Sequence, residues 1–199
     1  MSIALITGSN GLIGSESAYF FAAKGLEIVG IDNNFRQFFF GKEGSTIWQK
    51  KKLKNKIKSY KHFNTDIRKY SNLEKIFKKY KKKISIIIHC AAQPSHDYGK
   101  NFPVLDFDVN AKGTLNMLEL TKIYCPDAVF IHMSTNKVYG DNPNKLNITE
   151  QSKRWELKSN DKNYNGVKEN FSIDNCTHSF FGVSKVYSDL IAQEYGFNV

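Results

Sequence analysis

The chain has 199 residues, of which 41% are hydrophobic and 14% aromatic, and its formal net charge at pH 7 is +10. This composition excludes a disordered tail, because such segments are poor in the aromatic residues that build a core. The length suits one domain, or one domain with a fragment of a second. No apolar run approaches the roughly 18 residues of a membrane span, and no basic leader precedes the first apolar run. An odd number of well-separated cysteines argues against a disulfide framework, so we expect a reducing, cytoplasmic location; they are Cys90, Cys125 and Cys176.

The positive charge is concentrated in one lysine-rich segment. Residues 50–83 carry a net charge of +13, and the rest of the chain carries −3. The whole chain has only three arginines, the residue on which base reading and bidentate phosphate binding mainly depend. We interpret most of these lysines as solvated helix faces and expect no nucleic-acid partner. A nucleic-acid binder remains an alternative that rests on this segment alone.

Apolar runs alternate with helical patterns along the chain. Strand-like runs are Ile3–Thr7, Leu26–Ile31, Ser59–Asn64, Ser85–His89 and Ala128–Met133. Helical spacing is found in Leu12–Lys24, Ser45–Lys58, Asn72–Lys83, Asn110–Tyr124 and Phe180–Tyr195. This alternation predicts an α/β fold, a Rossmann-type doubly wound parallel sheet with helices on both faces. The polar, Asn-rich segment 141–175 is predicted to be a long functional or lid-like loop.

A glycine-rich turn joins the first strand to the first helix, with the sequence TGSNGLIG over residues 7–14. Gly8 permits a tight turn, Gly11 lets the backbone approach a pyrophosphate, and Gly14 allows the helix to pack closely on the strand. The helix N-terminus adds free N–H groups and a partial positive charge. The second strand ends at Asp32, whose carboxylate accepts hydrogen bonds from ribose hydroxyls and repels a 2′-phosphate. The combination predicts NAD binding and disfavours NADP; the alternative is a purely structural strand–turn–helix.

Further motifs follow in a fixed order. They are DI at 66–67, HCAAQ at 89–93, NAKGT at 110–114, STNKVYGD at 134–141 and FGVSK at 181–185. With the glycine turn, they resemble the extended short-chain dehydrogenase/reductase family of nucleotide-sugar epimerases and dehydratases. The segment 134–141 is similar to that of the CDP-paratose (tyvelose) 2-epimerase group. The resemblance covers nearly the whole chain, and it implies NAD as cofactor and a nucleotide sugar as substrate.

The resemblance also implies which residues bind the cofactor. In the family, an Asp-hydrophobic pair contacts adenine, small residues let the backbone lie against the cofactor, and the Asn of Asn-x-x-Gly-Thr is usually structural. Carried over residue by residue, the NAD-binding set is Gly8, Asn10, Gly11, Ile13, Gly14, Asp32, Asn33, Asp66, Ile67, Ala91, Ala92, Gln93, Asn110 and Lys185.

The family's chemistry is a transient oxidation of a sugar carbon. The carbon transfers a hydride to NAD, which later returns it, while a general base takes the hydroxyl proton. The family uses a Ser or Thr with the Tyr and Lys of a Tyr-x-x-x-Lys motif, so the implied catalytic residues are Thr135 and Lys185. The Tyr position is occupied by Phe181, which has no titratable proton. Two other residues are candidate bases: His96, which follows the HCAAQ segment, and Tyr139, within STNKVYGD.

The chain also departs from the family in length. In the family, further strands and a C-terminal substrate domain follow the lysine helix, whereas here residues 196–199 resemble the start of a strand and the chain stops. We therefore predict that residues 1–199 are an NAD-binding Rossmann domain whose C-terminal substrate domain is absent. Its uncovered sheet edge favours a homo-oligomer. The alternative function is a catalytically impaired or truncated NAD-binding remnant.

The remaining reactive residues do not indicate another chemistry. The five histidines show no metal-ligand spacing, so we predict no metal site. His89 and His132 end predicted strands and are interpreted as satisfied core or rim residues. Cys176 and His178 lie two positions apart, and on a helix such side chains do not face each other, so no thiol nucleophile is predicted.

Overall fold

The computed structural model describes residues 2–198 and is built on a parallel sheet in the spatial order β3-β2-β1-β4-β5. None of the helices in this range is long and apolar enough to cross a membrane. The strands are β1 (Ile3–Thr7), β2 (Glu27–Ile31), β3 (Tyr60–Phe63), β4 (Ile84–His89) and β5 (Val129–His132). The helices are α1 (Leu12–Ala23), α2 (Arg36–Phe40), α3 (Ile47–Lys56), α4 (Tyr70–Tyr80), α5 (His96–Asn101), α6 (Pro103–Phe107), α7 (Gly113–Tyr124) and α8 (Ser179–Asn198).

Strand β1 is the centre of the sheet, and its first four residues are apolar. All of its residues are buried, and Leu5 lies between Val29 of β2 and Ile87 of β4. Continuous burial of this kind is typical of a parallel sheet with both faces covered.

Helices cover the two faces of the sheet with separate apolar clusters. Phe77 of α4 and Met117 of α7 pack on one face, and Ala18 of α1 and Leu53 of α3 pack on the other. Alternate residues of each strand supply the two clusters, since successive side chains point to opposite faces. The predicted doubly wound fold is confirmed.

The order of the strands reverses beside β1. The chain runs outward from β1 through β2 to β3, then returns to β4 on the other side of β1. Thr7 and His89, the last residues of β1 and β4, are paired. Ligands of such sheets bind outside the carboxyl ends of the strands at this switch point. The turn after β1 and the segment after β4 therefore lie side by side.

The structure differs from the predicted elements in several places. A π-helical turn at residues 108–112 joins α6 to α7, so helical structure begins before Asn110. The segment 141–175, predicted to be a loop, contains an antiparallel pair, β6 (Ile148–Glu150) and β7 (Trp155–Leu157). Between β2 and α3 the chain also forms α2, which was not predicted.

The prediction that residues 196–199 begin a strand is wrong over the described part of that range. Helix α8 continues through Asn198, whose side-chain amide donates to Glu194 O at 3.2 Å and to Glu194 Oε2 at 2.8 Å. Extending an existing helix costs less conformational entropy than starting a new element. Val199 lies outside the described residues.

The lysine-rich segment does not form one surface. Its lysines lie on α3, on β3, on α4 and in the segments that join them, and α3 and α4 cover opposite faces of the sheet. Lys61 pairs with Glu27 at 3.4 Å and Lys78 pairs with Glu74 at 3.0 Å. The charge is therefore spread over two faces and an edge, which does not favour a continuous track for a nucleic acid.

Candidate functional site

A cleft of about 260 Å³ opens at the carboxyl ends of β1, β2 and β4. It lies at the switch point of the sheet, where the topology places ligands. Ten residues of the predicted NAD-binding set line it: Gly8, Gly11, Ile13, Gly14, Asp32, Asn33, Asp66, Ile67, Ala91 and Ala92.

The glycine turn is shaped by close backbone approach. Gly8 has φ +64°, and a Cβ there would lie 2.8 Å from the backbone N of Ala91. A Cβ on Gly14 would lie 2.2 Å from Gly8 O. Gly11 N donates to Gly8 O at 2.9 Å, which closes the turn. Side chains are thus excluded at Gly8 and Gly14, and the start of α1 is held against the end of β1 as pyrophosphate binding requires.

Asp32 lies just after β2 with its carboxylate fixed by backbone donors. Asn34 N donates to Oδ1 at 2.7 Å, and Asn10 N donates to Oδ2 at 3.1 Å. Burial raises the pKa of Asp32 above its ordinary value, and these hydrogen bonds oppose that rise. The second one ties the end of β2 to the glycine turn, so the acceptor and the turn are positioned together.

The far end of the cleft contains a cation and an aromatic ring that sequence reasoning missed. Arg68 binds Asp66 through Nη2 and Oδ2 at 2.6 Å, and its guanidinium lies 4.9 Å from the centre of the Phe35 ring. Phe35 and Ile67 both line the cleft. Burial raises the pKa of Asp66, but the hydrogen bonds and charge of Arg68 outweigh it and hold the pKa below its usual value. The result is an apolar wall beside a fixed carboxylate, which suits a flat heteroaromatic ring.

The glycine turn is also supported by hydrogen bonds from β3 that the sequence did not predict. Tyr60 on β3 shares a 2.9 Å hydrogen bond with Ser9 Oγ and donates to Asn10 Oδ1 at 3.4 Å. Burial raises the pKa of Tyr60 to about 12, so the phenol stays protonated. No local pattern in the sequence of β3 indicates that its first side chain reaches the turn.

Four predicted cofactor residues lie behind the wall of the cleft. They are Asn10, Gln93, Asn110 and Lys185, and all are buried. Asn110 connects three elements, because its Oδ1 accepts from Gln93 N at 2.9 Å and its Nδ2 donates to Ser184 Oγ at 2.9 Å. Ser184 Oγ in turn donates to Asp106 Oδ2 at 2.5 Å. Asn110 thus holds the segment after β4 against α8.

Lys185 is buried on α8 with carboxylates around it. Its pKa is lowered to about 8 by burial, while the negative charges of Asp106 and Asp189 oppose that change. Cys90, which follows β4, also opposes the lowering of the Lys185 pKa. Because burial brings its pKa close to neutral pH, Lys185 is present in both its charged and its neutral form there.

The structure places Thr135 in a different cleft from the predicted NAD residues. This second cleft, of about 820 Å³, lies between the segment after β5, residues 169–174 and α8, and Tyr139 also lines it. Thr135 Oγ1 accepts from Lys137 N at 3.3 Å and so caps a short 3-10 turn. Phe181 is buried on α8, four residues before Lys185.

His89 and His132, at the ends of β4 and β5, differ in whether their ring nitrogens have hydrogen-bond partners. Thr114 Oγ1 donates to Asn110 O at 2.6 Å and therefore accepts from His89 Nε2 at 3.1 Å. The other ring nitrogen, Nδ1, then accepts from Thr7 Oγ1 at 2.7 Å. His132 stacks on His89 at 5.8 Å, but its buried ring nitrogens have no partner among residues 2–198. The prediction that both histidines have hydrogen-bond partners therefore holds for His89 only.

The prediction that Cys176 and His178 do not face each other is wrong. They precede α8 rather than lying on it, and Cys176 Sγ is 3.7 Å from His178 Nε2. The sulfur also lies 3.3 Å from Ile173 O, so its proton has a backbone acceptor. Among residues 2–198 no group of three or more His, Cys, Asp or Glu side chains is arranged to hold a metal ion.

The cleft fits a dinucleotide by the geometry of its own atoms. A Cβ at Gly8 or Gly14 would collide with neighbouring backbone, so only glycine lets the turn close against the sheet beneath the cleft. The carboxylate of Asp32 lines the cleft where a ribose would lie, and an apolar wall follows at Phe35 and Ile67. Gly11 and Gly14 leave the N-terminus of α1 open to an anion. The NAD prediction is therefore consistent with the residues present.

Comparisons with known proteins agree with this geometry. The family model described as GDP-mannose 4,6 dehydratase matches residues 5–198. CDP-paratose 2-epimerase from Salmonella typhi is 31% identical over 192 residues, which are 96% of this chain and 52% of that protein.

Solved structures share the fold. UDP-Glc/GlcNAc 4-epimerase from Campylobacter jejuni superposes with a TM-score of 0.73 at 21% identity, over 99% of this chain and 50% of that one. UDP-glucose 4-epimerase from Thermus thermophilus, in complex with NAD, gives a TM-score of 0.68 at 26% identity, over 98% of this chain and 51% of that one. The chain spans about half the length of these relatives.

Proposed function

The chain belongs to the nucleotide-sugar epimerase and dehydratase family whose model is described as GDP-mannose 4,6 dehydratase, and we propose that it binds NAD and epimerises a nucleotide sugar. The activity we propose is nearest to that of CDP-paratose 2-epimerase, the name of the Salmonella typhi relative. The observation that carries the proposal is the cleft at the switch point, where the glycine turn, Asp32 and Asp66 line one continuous surface.

Each group of the chain has a separate task in this proposal. Bound NAD supplies the hydride acceptor that oxidises a sugar carbon and later returns the hydride. The N-terminus of α1 holds the pyrophosphate, and Asp32 accepts hydrogen bonds from the adenosine ribose and rejects a 2′-phosphate. Asp66 and Ile67 flank the adenine. Lys185 binds the nicotinamide ribose, and Thr135 holds the reacting sugar oxygen.

Release of the cofactor tests the first half of the proposal. Protein denatured after purification is expected to release NAD, identified by chromatography and absorbance, and protein stripped of nucleotide is expected to rebind it in a calorimetric titration. Turnover of CDP-paratose by the NAD-loaded protein tests the second half. Well-folded protein that neither retains nor rebinds NAD contradicts the proposal.

Phe181 favours a second candidate function, an NAD-binding protein without epimerase activity. Its buried ring offers no proton acceptor beside Lys185, and loss of a positioned base typically costs about 10²- to 10⁴-fold in rate. The variant Phe181→Tyr, made in a chain extended by a substrate domain, separates the candidates. A gain from no turnover to measurable turnover supports the non-catalytic form, and turnover by the unmodified protein contradicts it.

We also propose that the protein forms a homo-oligomer. Strand β5 is a sheet edge on which Val129 is 58% exposed. Val183 and Leu190 on α8 are exposed apolar side chains as well. Open edges and apolar patches favour association. Light scattering coupled to size-exclusion chromatography is expected to give a mass of two or more chains, and a monomer at high concentration contradicts this.

A further inference from the structure

Helix α8 presents a phenyl ring at the position where the family has a proton acceptor. Phe181 and Lys185 are both buried on the same side of the helix. The sugar oxidation still requires a group that takes the hydroxyl proton. Such a group has to lie against Phe181 and remain open to a substrate.

His96 meets both conditions. It is the first residue of α5, and it follows the segment after β4 that lines the cleft. Its imidazole lies edge-on to the Phe181 ring, with 6.0 Å between the ring centres. Helix α5 is held there tightly, since a Cβ on Gly99 would lie 3.1 Å from Phe181 Cβ. The imidazole side chain is 50% exposed, so substrate and solvent can reach it.

Two acidic side chains, Asp97 and Asp106, interact with His96. Asp97 Oδ1, on the same helix, lies 3.5 Å from Nδ1. Asp106 of α6 is buried, and its Oδ1 has no hydrogen-bond partner among residues 2–198. Burial raises the pKa of Asp106; two side-chain hydrogen bonds and then the positive charges of Lys185 and His96 oppose that rise. Asp106 therefore interacts with both Lys185 of α8 and His96 of α5.

Tyr139, the other candidate base, is directed elsewhere. Its ring lies edge-on to Phe171 at 5.6 Å, and its hydroxyl is 3.5 Å from Lys168 O. These partners belong to the polar segment that covers the second cleft. The Tyr139 ring and hydroxyl are therefore occupied by contacts with residues 168–171, whereas the His96 ring packs on Phe181.

We infer that His96 is the catalytic base of the epimerisation and takes the part that a tyrosine at position 181 plays in relatives; the inference rests on the proposed function. The sugar O–H bond breaks and its proton goes to imidazole Nε2, as the C–H bond breaks and its hydride goes to NAD. The products of this step are a keto sugar, NADH and an imidazolium. In the return step, the hydride adds to the opposite face of the carbonyl, and the imidazolium gives its proton to the oxygen.

The test uses NAD-loaded protein with CDP-paratose as the probe. His96→Ala is expected to lower the rate about 10²- to 10⁴-fold, while NAD affinity measured by calorimetry changes less than about threefold. Added imidazole is expected to restore part of the rate, and so is the second substitution Phe181→Tyr, which supplies a phenol one helical turn from Lys185. His178→Ala, a matched histidine control, is expected to retain the rate and to show no effect of imidazole.

A second measurement does not depend on turnover. Diethyl pyrocarbonate is expected to modify His96 in the protein alone, and NAD with CDP-paratose is expected to protect His96 but not His178, as followed by mass spectrometry. Turnover that is unchanged in His96→Ala, or lost in Tyr139→Phe instead, overturns the inference and leaves the proposed function intact. Absence of CDP-paratose binding to the NAD-loaded protein overturns both.

Discussion

A single methyl group at Gly14 is expected to disturb both the stability of the fold and the affinity for NAD. In Gly14→Ala, the added Cβ would lie 2.2 Å from Gly8 O, 2.8 Å from Gly8 C and 2.9 Å from Ser9 Cα. Carbon contacts in proteins are ordinarily about 3.5–4.0 Å, so the turn has to move by roughly 1 Å. All three neighbours are backbone atoms, and none of them is able to rotate away as a side chain would.

The size of the effect follows from two opposing contributions. Overpacking of this kind costs about 1–3 kcal/mol, while replacing glycine by alanine inside a helix stabilises it by about 0.5–1 kcal/mol. Gly14→Ala is therefore expected to lower the free energy of unfolding by about 1–2 kcal/mol. Gly196→Ala is the matched control, because Gly196 also lies in a helix and its added Cβ would meet no atom within 4 Å.

Urea unfolding and calorimetry measure the two consequences. The control is expected to unfold at the same or a higher urea concentration, and Gly14→Ala at a lower one. Because the shifted Gly8 and Gly11 line the cleft, we expect NAD affinity to fall at least tenfold, about 1.4 kcal/mol. Equal stability and equal NAD affinity in the two variants would refute the assignment of Gly14 as the close-packing position under the cofactor.

Four further substitutions test other parts of the account. Asp32→Ala is expected to weaken NAD binding by about 1–3 kcal/mol in calorimetry, since ribose hydroxyls lose their acceptor; an equal loss in the exposed control Asp127→Ala would contradict this. Tyr60→Phe removes the hydrogen bonds under the glycine turn and is expected to cost about 1 kcal/mol in urea unfolding; an unchanged midpoint would show that the phenol does not support the turn. Burial raises the pKa of Asp66, but its arginine partner holds it below the ordinary value. The pair therefore stabilises the fold above about pH 4 and loses this contribution as the pH falls further. Asp66→Asn is expected to cost about 1 kcal/mol at pH 7 and little at pH 3, and a loss that is independent of pH would contradict the ion pair. Burial lowers the pKa of Lys185 to about 8 in the folded protein, whereas the pKa is about 10.4 in the unfolded chain. Between these two pH values the unfolded chain binds more protons than the folded protein, so the free energy of unfolding rises with pH. Lys185→Met is expected to remove that rise, about 3 kcal/mol, in unfolding measured without NAD, and an identical pH dependence in both proteins would show that the lysine is solvated.

The parts of the site that the sequence predicted are those governed by local spacing. Gly8, Gly14 and Asp32 belong to one strand–turn–helix–strand unit, so their order along the chain already determines that they meet at one edge of the sheet. The apolar runs likewise predicted β1, β2 and β4, because a strand buried in a parallel sheet has to be apolar on both faces. Strands β3 and β5 were also predicted, although they are edge strands and only partly buried.

The parts that could not be predicted depend on contacts between distant segments. Tyr60 reaches Ser9 across 51 positions of sequence, and Arg68 lies on Phe35 across the cleft; neither pair has a local signature. Cys176 and His178 were misjudged because the start of the last helix determines whether two side chains two positions apart face each other.

The most direct test of the central claim compares two cofactors on the same protein. Calorimetric titration of nucleotide-free protein with NAD and with NADP is expected to show saturable binding of NAD that is at least tenfold tighter, because the carboxylate of Asp32 repels a 2′-phosphate. The carboxylate of Asp32 is only partly buried and lines the cleft, so we further expect Asp32→Ala to reduce this preference. Equal affinity for the two nucleotides, or no affinity for either by a protein that unfolds cooperatively, would contradict the account.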